Sequence, residues 1–212
     1  MKIALFGHGK MGKMVEKMAS DLSHSIVDIQ DADICIDFSH HTVVLQHVQQ
    51  AAETQIPIVI GTTGWEAGIE SAKEIVKRYA IGALYSANFS LGVAYFQQLL
   101  KQARALFSEY EIAGVEYHHS QKKDAPSGTA KTLASALKMK TPFTSVRCGW
   151  ITGKHEVIFD SPFDTVTLIH EAHNREAFAR GALTAAEWLQ NKKGWYTFDD
   201  MLRSLYSSRH PI

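Results

Sequence analysis

Residues 116–130 concentrate side chains that can transfer protons and bind anions. The first half carries adjacent pairs of basic residues: His118, His119, Lys122 and Lys123. Imidazole and ammonium groups donate protons near neutral pH and neutralise carboxylates. The second half leads into a predicted helix over residues 130–138, whose free N–H groups would form an anion pocket beside the hydroxyls of Ser127 and Thr129. Together the two halves indicate a site for a small acid.

The same segment also allows a plainer interpretation. His118 and His119 would then be surface loop residues, and Ser127 would simply cap the helix. The adjacent lysines would form a solvated charge run. The residue types alone leave both interpretations open.

A second motif, G-x-G-x-x-G at residues 7–12, directly follows a predicted strand and precedes a helical pattern. This is the context that a dinucleotide-binding turn requires. Glycine lets the backbone approach a pyrophosphate, whose charge meets the N–H groups at the start of the helix. The alternative is a tight turn without a ligand. We favour the dinucleotide, and the candidate contacts are Gly7, His8, Gly9, Lys10, Met11 and Gly12.

An acidic partner for the adenosine ribose is expected on the second strand, about twenty residues later. Asp28, Asp31 and Asp33 lie near that distance. The only candidate strand, residues 24–29, runs into the next one with no room for a full crossover. The second βα unit is therefore predicted to be shortened, and the ribose contact stays unassigned.

The elements that would position these motifs alternate between strands and helices in the first half of the chain. Short apolar strands are predicted over residues 2–6, 34–38, 58–60 and 83–86. Helices are predicted between them, over residues 11–22, 43–53 and 66–79. This pattern is typical of an α/β domain with a Rossmann-like, doubly wound parallel sheet, here shortened.

From residue 91 onward the pattern changes to α+β. Helical patterns over 95–107 and 130–138 accompany strand patterns over 111–117, 156–160 and 165–170. The last two strands are separated by a turn-forming Ser-Pro-Phe-Asp and should pair antiparallel. A final helix over 178–190 and a tail over 195–206 could return to the first domain. We therefore predict a dinucleotide-binding domain of residues 1–89 plus 178–212, and a substrate-binding and oligomerisation domain of residues 90–177.

Bulk composition narrows the range of partners and compartments. The 22 lysines and arginines balance the 22 aspartates and glutamates, so the protein has no net positive charge that would attract nucleic acid or an anionic membrane. Cys35 and Cys148 lie in apolar contexts and are interpreted as buried, reduced thiols, which favours the cytoplasm. The chain starts with a strand pattern and has no long apolar span, so neither export nor membrane insertion is expected.

Two further groups of histidines could in principle bind a metal. The pair His40 and His41 follows a strand at a helix start, where capping is the simpler interpretation. His170 and His173 lack the spacing of a zinc-binding helix motif. No metal site is predicted.

The segment at residues 116–130 resembles the signature of the dihydrodipicolinate reductases, now named for their 4-hydroxy-tetrahydrodipicolinate substrate. That signature looks like E-x-H-H-x-x-K-x-D-A-P-S-G-T, and it is matched in register from Glu116 to Thr129. Three other segments resemble the family in order: residues 61–64, 86–93 and 153–157. The similarity covers nearly the whole chain.

The resemblance implies roles for individual residues. His118 and Lys122 would deliver the proton, and the substrate carboxylates would be held by four residues: His119, Ser127, Gly128 and Thr129. The nicotinamide cofactor would lie along the glycine turn and along two other segments: Gly61, Thr62 and Thr63, then Ser86, Ala87, Asn88 and Phe89. The substrate would be a small heterocyclic dicarboxylate, and the protein a homotetramer assembled through the sheet of its second domain.

The implied reaction begins when the substrate hydroxyl leaves as water. Hydride from the nicotinamide then adds to an unsaturated ring carbon, and His118, helped by Lys122, protonates the adjacent carbon. A sensor that only binds nicotinamide would have no use for such a proton donor. A dehydrogenase for another small oxo or hydroxy acid would share the glycine turn but lack the D-A-P-S-G-T loop.

The chain is shorter than the usual family member, mainly over residues 22–34 and 140–147. The first gap removes the residues that usually discriminate between cofactors. The cofactor is therefore predicted as NADH or NADPH, with the choice left open.

Overall fold

A computed structural model describes the backbone of residues 1–209 and the side chains of residues 1–206. The chain divides into two compact units. The first unit joins Met1–Phe89 to the segment that begins at Phe178, and the second unit is Ser90–Ala177.

Within the described residues the chain forms ten strands and seven α-helices. The strands are β1 (Lys2–Phe6), β2 (Ser25–Ile26), β3 (Ile34–Asp37), β4 (Ile58–Ile60), β5 (Gly82–Tyr85), β6 (Glu111–His118), β7 (Thr144–Arg147), β8 (Lys154–Asp160), β9 (Thr165–Glu171) and β10 (Gly194–Thr197). The helices are α1 (Lys10–Asp21), α2 (Val44–Glu53), α3 (Ile69–Tyr79), α4 (Leu91–Leu106), α5 (Gly128–Ala136), α6 (Glu176–Leu189) and α7 (Phe198–Arg209). No helix in residues 1–209 combines the length and the apolar character needed to cross a bilayer.

The first unit is built on a six-stranded parallel sheet with the order β10-β5-β4-β3-β1-β2. Its central strands are buried on both faces, which explains why isoleucine fills them at Ile34, Ile36, Ile58 and Ile60. The chain leaves β1 toward β2 and then crosses to β3 on the other side of β1. The order in which strands are added therefore reverses at β1, and ligands of doubly wound sheets bind beyond the carboxyl ends of the strands at such a switch point.

The second βα unit is shortened, as the sequence predicted. β2 has only two residues, and a single 3₁₀ turn at Ile29–Asp31 replaces the crossover helix. Asp33 accepts a hydrogen bond from the backbone N–H of Lys2 at 2.7 Å, so it lies at the amino end of β1, away from the glycine turn. Asp28 lies two residues after the end of β2, at the end of the sheet that carries the glycine turn. Among the three candidate aspartates, Asp28 thus occupies the position expected of a ribose partner.

The second unit contains a four-stranded sheet with the order β7-β6-β8-β9. β8 pairs antiparallel with both β6 and β9, whereas β7 runs parallel to β6. One face packs against α4 and α5 through a buried cluster: Phe96, Leu100, Leu133, Val157 and Phe159. The alternation of β9 leaves Ile169 on the other face, 52% exposed. The predicted antiparallel pair is therefore present, while β7 and β10 are strands that the sequence patterns did not predict.

Candidate active site

A row of polar residues crosses one end of the buried face of the second sheet. Glu116 is the cross-strand neighbour of His155, and His155 is the neighbour of His170. His118 lies two residues beyond Glu116 on the same face of β6, and Glu116, His118 and His155 are all buried. The same face is apolar farther along, at Ile112, Val157 and Phe159, so buried charge is confined to this end. Buried polar groups persist only when they are paired, which makes their partners informative.

Glu116 has a partner on each carboxylate oxygen. Oε1 accepts a hydrogen bond from Nη2 of Arg147 at 2.6 Å, and Oε2 faces Nδ1 of His118. Burial by itself would raise the pKa of Glu116, but the neighbouring Ser145 and Arg147 side chains, together with the positive charges of His118 and Arg147, outweigh burial and keep the pKa below its ordinary value. The group is therefore a carboxylate at neutral pH.

His118 lies between this carboxylate and two cations. Burial lowers its pKa, the charge of Glu116 raises it, and the positive charges of Lys122 and Arg147 lower it again, with a net result below the ordinary value. Its other ring nitrogen, Nε2, faces Gly153, where an added Cβ would lie 3.1 Å away. Glycine at that position leaves the space beside Nε2 open.

His155 has a different environment from His118. Its Nε2 lies 3.2 Å from the Ser127 hydroxyl, whose oxygen also accepts a hydrogen bond from the backbone N–H of Ala130 at 3.1 Å. Burial lowers the pKa of His155 to about 4, with a further contribution from His118. The hydrogen bond between Ser127 and His155 therefore joins the start of α5 to the polar row.

The loop between β6 and α5 carries the remaining predicted substrate contacts. Nζ of Lys122 lies 2.7 Å from Oδ1 of Asp124, which lowers the pKa of that carboxyl group. His119 is half-buried next to the end of β6, and Thr129 lies in the first turn of α5. Gly128 is exposed at the first position of α5, and a Cβ there would meet nothing within 4 Å. The structure thus brings the predicted proton donors and the predicted anion pocket into one unit.

The polar row contains three side chains of the types that bind metals. Among the described residues, Glu116, His118 and His155 each place one ligand atom within 4.8 Å of the others. However, Arg147 is bonded to one oxygen of Glu116, and a guanidinium at this distance would repel a divalent cation. The arrangement fits an ion-paired cluster, and the absence of a metal stays a prediction.

The glycine turn of the first unit shows which of its glycines the fold requires. Gly7 has a φ of +97°, and a Cβ there would lie 2.3 Å from the carbonyl oxygen of Phe38. A Cβ on Gly12 would lie 1.9 Å from the carbonyl oxygen of Gly7. Gly9, which precedes α1, would place a Cβ in open space. The fold thus needs Gly7 and Gly12, whereas the open space at Gly9 fits a bound pyrophosphate.

A buried aspartate anchors the loops beside this turn. Asp37 ends β3 and accepts hydrogen bonds from the backbone and hydroxyl of Ser39 and from the hydroxyl of Thr62, the last at 2.6 Å. It also pairs with Nδ1 of His47 at 2.7 Å. Thr62 is buried by these contacts, while Thr63 is exposed beside it. Asp37 was not identified from the sequence, although a carboxylate ending an apolar strand, Ile34–Asp37, is a recognisable signal.

The remaining predicted cofactor contacts lie on loops of the same unit. His8 and Lys10 are exposed on the glycine turn, with Met11 half-buried behind them. The hydroxyl of Ser86 donates to the carbonyl of Asn88 at 2.7 Å, which shapes the loop that includes the exposed Ala87. Phe89 is buried against the rings of Phe38 and Phe198, so its side chain belongs to the core.

A doubly wound sheet with a dinucleotide-type turn, combined with a second unit that holds a buried cluster of ionisable residues, is typical of two-unit oxidoreductases of the nicotinamide-dependent class. Comparison with known proteins is consistent with this class. The sequence matches the family described as "Dihydrodipicolinate reductase, C-terminus" over residues 92–202 and its N-terminal counterpart over residues 19–89. The chain belongs to the dihydrodipicolinate reductase family.

Two curated relatives support the assignment over the full chain. The 4-hydroxy-tetrahydrodipicolinate reductase of Christiangramia forsetii is 34% identical over 239 residues, covering 98% of this chain and 100% of the relative. That of Caldanaerobacter subterraneus subsp. tengcongensis is also 34% identical, covering 96% and 99%. The first alignment is longer than the 212-residue chain, so the relative carries residues that this chain lacks.

A solved structure gives the same fold. The dipicolinate-bound dihydrodipicolinate reductase of Paenisporosarcina sp. TG-14 superposes with a TM-score of 0.77 at 19% identity, covering 93% of this chain and 97% of that one. The predictions of the family, of the α/β fold class and of a nicotinamide-dependent reductase are confirmed.

Proposed function

We propose that this protein reduces 4-hydroxy-tetrahydrodipicolinate to tetrahydrodipicolinate in the diaminopimelate and lysine pathway. The observation that carries the proposal is the buried pair of Glu116 and His118 at the end of β6, in the same unit as the open N-terminus of α5. A proton donor near an anion pocket suits a small dicarboxylate that must be held by its charges and protonated on carbon.

The second unit is assigned to the substrate. His119, Gly128 and Thr129 bind its carboxylates, and the neutral His155 holds Ser127 at the edge of the same pocket. Lys122 exchanges its partner Asp124 for a substrate carboxylate. His118 then delivers a proton to a ring carbon. These roles follow the family resemblance, and the burial and pairing described above support them.

The first unit is assigned to NADH or NADPH, which supplies hydride when bound. Gly9, at the start of α1, would hold the pyrophosphate, because a Cβ at this position would meet nothing within 4 Å. Thr63 and Asn88 line the nicotinamide, on loops fixed by Asp37 and Ser86. Asp28, at the end of β2, takes the adenosine ribose.

We also propose a cytoplasmic homotetramer assembled through the sheet of the second unit. Edge strand β9 exposes Ile169, and an unpaired sheet edge with apolar side chains is normally covered. Cys35 and Cys148 are both free thiols, which suits a reducing compartment. Cys35 is buried as predicted, but the predicted burial of Cys148 is wrong, because Cys148 lies in the loop after β7 and is exposed. The family resemblance supplies the number of subunits.

The function is tested by oxidation of NADH and NADPH with the heterocycle generated in situ. The preceding synthase produces the substrate from pyruvate and aspartate semialdehyde, and the absorbance of the reduced nicotinamide follows the reaction. Omitting the synthase is the control. We expect oxidation only in the complete mixture, and its absence with both cofactors would contradict the proposal.

A further inference from the structure

We propose that Glu116 is a positioning residue that selects His118 as the proton donor, and that Arg147 holds the Glu116 carboxylate in place. The inference rests on the proposed function, since it concerns the proton step of that reaction. Three histidines, His118, His155 and His170, lie on the same face of one sheet, so something must determine which of them donates the proton.

The three histidines differ in their partners. His118 faces the carboxylate of Glu116, whereas His155 is bonded to a hydroxyl and His170 packs against the ring of Phe96 at 5.7 Å between centroids. Nδ1 of His155 has no hydrogen-bond partner in the part of the chain that the structure describes. Of these three rings, therefore, His118 is the one in direct contact with a carboxylate among the described residues, whereas the charge of Glu116 acts on His155 without such a contact and is outweighed there by burial.

The pairing also fixes which nitrogen of His118 can react. A carboxylate can only accept hydrogen bonds, so the close contact of Nδ1 with Oε2 of Glu116 favours the tautomer of His118 that carries its proton on Nδ1. Nε2 is then the nitrogen that gains and loses the catalytic proton. It is also the nitrogen that faces Gly153, where the missing side chain leaves room. The expected tautomer and the space beside Gly153 therefore both indicate Nε2 as the reactive nitrogen of His118.

The charges around His118 make its dependence on Glu116 strong. Glu116 faces it from its own strand, Arg147 from β7, His155 from β8, and Lys122 from the following loop. Burial and the charges of Lys122 and Arg147 disfavour the imidazolium, and the Glu116 carboxylate opposes them. Without that carboxylate, His118 would hold its proton only at lower pH.

Arg147 fixes the carboxylate through several bonds. Its Nη2 donates to Glu116 at 2.6 Å and to the backbone carbonyl of Asp124 at 2.7 Å, and its Nη1 donates to the carbonyl of Val146 at 2.8 Å. The guanidinium therefore ties Glu116 to the loop that carries Lys122. A single arginine thus fixes the position of the Glu116 carboxylate relative to this loop.

The test compares Glu116→Gln with a matched control, Glu156→Gln. Glu156 lies in the same sheet but pairs with Lys154, at 3.2 Å. A proton donor must be protonated, so kcat/KM falls as pH rises through its pKa. We expect Glu116→Gln to move this falling limb to lower pH by about one unit and to lower kcat about tenfold at pH 8, with little change in KM. The control should keep the wild-type profile.

A double variant separates positioning from a merely structural role. In a His118→Gln background, Glu116→Gln should cause little further loss, because it acts through a group that is already absent. Independent losses in the double variant, or an unshifted pH profile in the single one, would overturn the proposal. If Glu116→Gln does not fold, Glu116→Asp retains the charge at a greater distance and should move the limb by a smaller amount in the same direction. An unmoved limb in Glu116→Asp would count against the proposal.

A measurement without turnover distinguishes this inference from the proposed function. Nitrogen-15 spectra of the histidine rings should show Nδ1 of His118 protonated in the free protein, and a lower pKa for His118 in Glu116→Gln. This outcome supports the pairing even if the heterocycle is not reduced. Nε2–H as the neutral tautomer, or an unchanged pKa, would refute it.

Discussion

Nζ of Lys122 lies 2.7 Å from Oδ1 of Asp124, so the ammonium group that is assigned to the substrate already has a carboxylate partner. The pair is partly solvent-exposed, and such pairs contribute little to stability. An incoming dianion can therefore displace Asp124 at small cost. The ion pair with Asp124 thus positions Lys122 near the end of β6 but is weak enough to be exchanged for a substrate carboxylate.

The first prediction concerns this lysine. Lys122→Ala should lower kcat and also raise KM, because the ammonium contacts a substrate carboxylate and assists proton delivery. Steady-state kinetics with varied substrate separates the two effects. Lys123→Ala, one residue along the same loop, is the control and should leave both constants near wild type. A change in neither constant for Lys122→Ala would remove that residue from the site.

His118→Gln should lower turnover much more than it weakens substrate binding, because proton transfer occurs in the transition state while the carboxylate contacts remain. A loss of about tenfold to several hundredfold in kcat is expected. Initial rates at varied substrate concentration give kcat and KM separately and so distinguish a loss of turnover from weaker substrate binding. Wild-type turnover in this variant would exclude His118 as the proton donor.

The glycines of the dinucleotide turn should separate into two classes. Gly12→Ala forces a Cβ against the carbonyl of Gly7 and should destabilise the protein by about 2 kcal/mol or more. Gly9→Ala meets open space and should cost under about 1 kcal/mol, yet weaken cofactor binding by about tenfold or more. Denaturant unfolding and cofactor titration measure the two effects. Undiminished cofactor affinity in a folded Gly9→Ala would place the pyrophosphate elsewhere.

Cofactor selectivity should be weak, because β2 has only two residues and a single 3₁₀ turn replaces the helix that would follow it, which leaves few side chains to contact an adenosine ribose. Asp28 would repel a 2′-phosphate, whereas Lys10 and Lys13 lie on the glycine turn and the start of α1 and would attract one. We expect kcat/KM for NADH and NADPH to agree within about tenfold, which is under about 1.4 kcal/mol. The ratio at saturating substrate is the measurement. A preference of about a hundredfold or more in either direction would contradict the prediction.

The proposed tetramer should depend on the exposed face of the second sheet. Ile169→Lys adds a charge to edge strand β9, and light scattering should then report smaller assemblies. Leu45→Lys changes a partly exposed leucine on α2 of the first unit and serves as the control. A wild-type tetramer that survives Ile169→Lys would place the interface on another surface.

The sequence predicted those parts of the fold that carry strong local patterns. The bounds of β1 and β4 agree with the predicted strands, because each is a short apolar run ended by glycine. β2 lies within the candidate strand of residues 24–29, but β7 and β10 were not predicted, since four-residue strands that are only partly buried give no periodic signal. Their pairing depends on partners distant in the chain.

The same reasoning explains which site residues were found. His118 and Lys122 stand in one motif, but Arg147 lies 31 residues from Glu116 and enters the site only because β7 pairs with β6. His155 reaches the site through the register of β8. A usable signal did exist, since Glu116 and His155 occupy positions that strand alternation assigns to the core.

The first unit is discontinuous, and this has a consequence for synthesis on the ribosome. Its sheet ends with β10, which pairs with β5 only after more than a hundred further residues have emerged. Until then, the edge of β5 has no neighbour on that side, whereas the second unit is continuous and can fold as soon as it leaves the exit tunnel. The nascent chain would thus expose an open strand for several seconds, at about 5–20 residues per second, and a chaperone that shields apolar edges would act during that interval.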